Sequence, residues 1–123
     1  MPFIQEGLAD YMVGHAWDKI PHIEYVRKGL EMGLNMFPSK YLTKEDWFNT
    51  DDNHAIYFYS LAAEWTKYLI DSYGLEKYVT FYKNISRESS DMDVLHAYID
   101  SFGLAVDEIE RGFMDKITLR VGA

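Results

Sequence analysis

Any chemistry in this chain must come from four histidines, twenty carboxylates, ten tyrosines and a scatter of hydroxyls, because it has no cysteine. That absence removes disulfides, a cysteine-ligated zinc ribbon and a thiol nucleophile together. Two imidazoles one helical turn apart, as in HExxH, would let a helix offer both to one Zn²⁺. His15, His22, His54 and His96 contain no pair spaced by four, so that helix is not encoded. A phosphate-cradling glycine loop, a GxSxG elbow and the calcium-loop spacing are missing as well. His22 and Glu24 are two apart, which on a helix turns them to different faces, so they read as surface residues. Asp51, Asp52 and His54 offer three potential ligands in a loop. Negative side chains just ahead of a helix also cap its free amides and complement its dipole, and capping is the preferred reading. The tyrosines could donate to a developing oxyanion, but ten of them at helical spacing mostly mean packing with the hydroxyl at a wet edge. Glu6 stands apart. It precedes Gly7, which a helix interior usually avoids, and with small Ala9 nearby something could approach the backbone closely. A solvated glutamate in a first helical turn is the competing reading.

The elements that must hold these residues are helical. Ile4, Leu8, Tyr11 and Met12 recur at helical intervals until Gly14 and His15. Pro21 suits the first turn of a second helix, whose stripe of Ile23, Val26, Leu30, Leu34 and Phe37 runs to Pro38, with Gly29 and Gly33 permitting close approach of another helix. Residues 38–54 read as an ordered loop anchored by Tyr41, Leu42, Trp47 and Phe48, with Thr43 or Thr50 as a cap. From Ala55, the positions Phe58, Ala62, Trp65, Leu69 and Tyr73 mark a central helix, widened by further apolar residues and ended by Gly74. A fourth helix turns Leu75, Tyr78, Val79, Tyr82 and Ile85 inward and leaves through the polar stretch from Arg87. Asp91 is the expected N-cap of a fifth, carrying Val94, Leu95, Tyr98, Ile99 and Phe102 to Gly103. The sixth buries Val106, Ile109, Phe113 and Ile117, pairs Asp107 with Arg111 outward, and frays from Arg120. No strand pattern emerges. The expectation is an all-α fold, a compact orthogonal or antiparallel bundle of about five to six helices, in which residues 1–123 form a single domain.

Composition narrows the partners. An apolar fraction of 48% and an aromatic fraction of 16% can fill a hydrophobic core, and the net charge of -8 has the wrong sign for neutralising phosphates. Nucleic acid is therefore not an expected partner. Neither is a membrane: no run approaches 18 apolar residues, and the opening MPFIQEGLADY lacks the basic head and apolar stretch of a secretory signal. The chain reads as soluble, with no compartment specified.

Three segments resemble one family. Glu6-Gly7-Leu8-Ala9-Asp10-Tyr11 resembles the EGLAEY segment of gluzincin metallopeptidases, the peptidase-MA-like group of the thermolysin clan. The stretch from Tyr57 to Lys77, with Ala62, Tyr68, Leu69, Tyr73, Gly74, Glu76 and Lys77, is similar to that group's Y-x-x-A-x-S-F-V-x-Y-L-x-x-x-Y-G-x-E-K helix pair. Phe102 to Phe113 looks like its closing G-L-S-L-D-E-L-E-x-x-W, with Ala105 replacing the usual Ser and Phe113 the usual Trp. The order and spacing agree over most of the chain. The resemblance implies the helical part that lies downstream of the zinc-binding helix, with Glu6 at the place of the third metal ligand. It also implies that the two histidine ligands and the general-base glutamate belong to an HExxH segment upstream of this chain.

Two readings follow. In one, the chain is a fragment or remnant of a zinc metallopeptidase-like domain, inactive alone, with no cofactor of its own and Zn²⁺ bound only if an upstream HExxH segment is supplied. In the other, it is a stand-alone helical module that binds a protein or a small molecule and has no peptidase activity. Surface exposure discriminates between them. The first expects an apolar face made of Phe3, Ile4, Leu8 and nearby aromatics, covered by the upstream peptidase half or by self-association into a homo-oligomer. The small-molecule form of the second expects a closed apolar pocket of several hundred Å³, on the order usual for ligand sites.

Overall fold

In a computed structural model of the chain, residues 2–16, 18–50, 52–85 and 89–121 are described. They form α1 (Pro2–Val13), α2 (His22–Glu31), α3 (Lys44–Phe48), α4 (Ala55–Tyr73), α5 (Leu75–Lys83), α6 (Asp91–Phe102) and α7 (Val106–Val121). Two 3-10 turns, Pro38–Tyr41 and Asp52–His54, interrupt the connection between α2 and α4, and no strand occurs among the described residues. The fold is an all-α bundle. The seventh helix beyond the expected five or six is α3, cut from the segment read as a loop. Thr43 starts it as its N-cap, accepting from the Asp46 amide at 3.0 Å.

The long α4 is the axis, with α1 and α2 packed along it, α5 packed against it and α6, and α7 set against α2, α6 and the Pro38–Tyr41 turn. Its apolar stripe is buried as the spacing predicts: Phe58, Ala62, Trp65 and Leu69 all lie in the core. Gly74, at φ 97°, belongs to no helix, and its positive φ is one that side-chain-bearing residues rarely adopt. It lets α5 start at once in a new direction.

Five expectations are corrected. α2 ends at Glu31 instead of running to Phe37. The cause is Gly33, whose φ of 82° turns the chain while the amides of Gly33 and Leu34 bond back to Leu30 and Gly29 at 3.1 and 2.9 Å. What approaches Gly29 is no second helix but Met36 of the returning chain, whose sulfur would lie 3.0 Å from an added Cβ. In α5, Leu75 and Val79 face outward, at 62% and 39% exposure, while Phe81 is fully buried. The ring of Phe81 fits against Tyr98 and Phe102, with centroids 4.5 and 5.1 Å apart, and this contact sets the rotation of a helix only nine residues long. The cap of α6 is Ser90, in a capping box with Asp93; Asp91 is the first helical residue. At the other end of the chain α7 stays helical through Arg120 to Val121, so the fraying expected from Arg120 is not seen there.

In α7, Val106, Ile109, Phe113 and Ile117 are all buried as expected. Asp107 and Arg111 are both exposed, and no ion pair joins them among the described residues. The expectations for Asp51, Arg87 and the final Gly122 and Ala123 fall outside the described residues.

Candidate functional site

Glu6 lies half-buried in the second turn of α1, and Asp10 follows one turn later on the same side. Between them in the sequence is Gly7, whose surroundings explain why this segment needs glycine. A Cβ there would stand 2.5 Å from the Ala62 carbonyl oxygen and 2.6 Å from Thr66 Oγ1 of α4. What approaches the backbone is thus a neighbouring helix, packed on the small residues Ala62 and Ala63. This contact fixes how α1 rolls against α4 and where both carboxylates point.

The environment of Asp10 is unusual for a carboxylate. Burial, reinforced by the negative charge of Glu6, pushes it up to about 6. One of its oxygens, Oδ2, is dry and has no hydrogen-bond partner. Lining the same chamber, Tyr59 of α4 is raised by burial and by the charges of Glu6, Asp10 and Asp52. Buried His22, at the start of α2, is held below the usual histidine range by desolvation and by the neighbouring His15 ring. His15 itself holds its Nδ1 at 2.8 Å from the Ala16 carbonyl.

Asp10, His22 and Ser60 line one chamber together with Ala16, Ile56 and Tyr59. Aspartate, histidine and serine are the residue types of a nucleophilic relay. Here they do not make one: the Ser60 hydroxyl, which a base would have to engage, has no hydrogen-bond partner, and a chamber of about 10 Å³ admits no substrate. The arrangement is a buried polar junction between three helices.

The other candidate residues disperse. His22 is buried, against its reading as a surface residue, while Glu24 is exposed; the two diverge as their spacing implies. Asp52 is exposed in its 3-10 turn, and His54 occupies the N-cap position of α4 without a side-chain capping bond, its ring lying 5.9 Å from that of Tyr57. The capping role preferred for this loop is therefore not filled by His54. All ten tyrosines are buried or half-buried, as packing residues should be.

The chain matches no family model, no curated protein and no solved structure. The junction itself is therefore the ground for a functional reading. No His, Cys, Asp or Glu among the described residues forms a group of three able to hold a metal. Glu6 and Asp10 supply carboxylate oxygens alone, which is half of the mixed nitrogen and oxygen set that zinc favours in hydrolytic centres.

Two surface features bear on the choice between a fragment and a stand-alone module. An open groove of about 570 Å³ runs between α5 and α6, lined by Leu75, Val79, Thr80, Asp100 and Ser101 among others. It is not the closed apolar pocket expected of a small-molecule binder. The apolar face expected from Phe3, Ile4 and Leu8 is also not formed. Phe3 and Ile4 are core residues, Phe3 packing its ring 5.5 Å from Trp47, and Leu8 is half-buried against the same core. α1 covers Phe3, Ile4 and Leu8 with α3 and α4, while Met12 and Val13 at its end are exposed. No helix among the described residues is long and apolar enough to cross a membrane.

Proposed function

We propose that the chain is the helical part of a gluzincin-like metallopeptidase domain, without peptidase activity as an isolated chain. In this reading Glu6 is the carboxylate of a metal site whose imidazole ligands these residues do not encode. The observation that carries it is the half-buried pair Glu6 and Asp10, one turn apart on a helix locked in place by Gly7 against Ala62 and Thr66. A single carboxylate ligand that is oriented by a rigid neighbour, but lacks nitrogen donors, is suited to complete a site rather than to build one. The test is peptide hydrolysis by the purified chain with and without a chelator. No chelator-sensitive cleavage is expected. Cleavage that a chelator abolishes, and that a Glu6→Gln variant prepared in parallel lacks, would contradict the proposal.

A stand-alone interaction module is the second reading, and the burial of Phe3 and Ile4 favours it. A module that has no apolar face left open by a missing half should remain monomeric as its concentration rises. Sedimentation equilibrium checks this, and reversible self-association would return weight to the fragment reading.

A further inference from the structure

The chamber between α1, α2 and α4 contains two polar atoms that the fold leaves unmatched. Asp10 Oδ2 and Ser60 Oγ are both buried without a hydrogen-bond partner, and Ser60 is only 1% exposed. Both residues line the same space, whose volume of about 10 Å³ is close to that of one water-sized sphere. Buried polar groups in folded proteins are almost always satisfied, by protein or by an ordered water. Such a water needs two to four polar partners, and this wall provides a carboxylate oxygen, a hydroxyl, the His22 ring and the Tyr59 phenol. The remaining wall is Ala16 and Ile56, which offers a bare cation too few oxygens to replace its hydration shell.

We propose that this chamber is a binding site for one structural water, which donates a hydrogen to Asp10 Oδ2 and accepts the Ser60 hydroxyl, tying α1 to α4. The site is distinct from the role proposed for Glu6 and does not depend on it. It gives α1 a polar attachment beside the close contact at Gly7, and it explains a serine in the otherwise apolar run Tyr57–Ala63. The groups that face Asp10 across the junction are Glu6 on its own helix, Tyr59 on α4, and His22 on α2 with His15 behind it. Asp52 acts on Tyr59 and not on Asp10.

A high-resolution crystal structure of the chain, paired with a carboxyl-carbon NMR titration of Asp10 in the wild type and in Ser60→Ala, tests the site. Alanine fits a helix well, so the variant should fold. The expected result is one ordered water within hydrogen-bond distance of both atoms in the wild type. In Ser60→Ala that water should be lost or displaced, and the Asp10 midpoint should move upward because its carboxylate loses a fixed donor. A direct Ser60–Asp10 hydrogen bond with no water between them would overturn the proposal. So would a coordinated cation in the chamber, or an Asp10 midpoint that Ser60→Ala leaves unmoved.

Discussion

The two halves of the packing around α4 use different means. Toward α1, it presents small and polar residues: Gly7 presses on Ala62, Thr66 returns its hydroxyl to the Ala62 carbonyl at 3.1 Å, and Ser60 faces the chamber with Asp10. Toward α6 and α7, large rings interlock. Trp65 stands edge-on to Phe113 at 5.3 Å and donates its indole N–H to the Tyr98 hydroxyl at 3.0 Å, while Phe81 and Phe102 fill the space behind Tyr98. The aromatic half buries apolar area and pairs the Trp65 indole with the Tyr98 hydroxyl. The α1 half gains its stability from close backbone approach and retains carboxylates whose burial is costly. The lesson is a division of labour: the rings make the scaffold, and the tight polar junction positions Glu6.

If that division holds, the heaviest loss comes from the aromatic half. Trp65→Ala should cost about 3–5 kcal/mol, the range for truncating a large buried ring, read from urea denaturation. A loss near that of a surface substitution would mean that the rings are not the scaffold. Next is a contrast between two helical glycines. Gly7→Ala drives a methyl into a backbone carbonyl and should cost about 1–3 kcal/mol. Gly112→Ala meets only the Tyr68 hydroxyl, the movable end of a side chain, so it should cost distinctly less. Equal effects at the two positions would deny that α1 is held by backbone approach. Ser90→Ala removes the capping box of α6 and should lower stability by about 1 kcal/mol, with no change at the α1 junction in amide spectra.

The smallest effect is a pH dependence. Asp10 is raised in the folded chain, so its contribution is fully present below the ordinary aspartate value of 3.8 and is lost as pH rises through about 6. Because the carboxyl is partly solvent-screened, the loss should stay below about 1 kcal/mol. His22, depressed in the folded chain, works in the opposite sense: its contribution is present above the ordinary histidine range and is lost as pH falls through its lowered value. Stability curves of the wild type and Asp10→Asn should therefore separate across the window from about pH 4 to about 6, the variant gaining relative to the wild type as pH rises. Parallel curves would remove Asp10 from the account.

Much of this is legible in the chain. Periodicity locates six of the seven α-helices, and the stripes of α4 and α7 are buried as their spacing predicts, save the half-buried Tyr73 at the end of α4. What fails are features decided by tertiary contacts or by single residues. The rotation of α5 depends on the fit of Phe81 against Tyr98 and Phe102, which no local stripe encodes. The early end of α2 turns on Gly33, whose low helix propensity is visible in the sequence but whose backbone conformation is not. At the site, Glu6 and Gly7 stand out for a sound reason, close approach, but the approaching group is α4. The spacing of Glu6 and Asp10 is available in the sequence. Ser60 and His22 come from different helices, and only the fold could bring them to Asp10.

The central claim is that Glu6 is a lone ligand carboxylate, placed to serve a metal site that this chain does not complete. Isothermal titration of the purified chain with Zn²⁺, beside Glu6→Gln, tests it most directly. The account predicts no tight one-to-one binding and closely similar heats for the two proteins. Tight stoichiometric binding by the wild type that Glu6→Gln abolishes would contradict it, because the nitrogen or oxygen donors needed to share the ion would then lie within these residues.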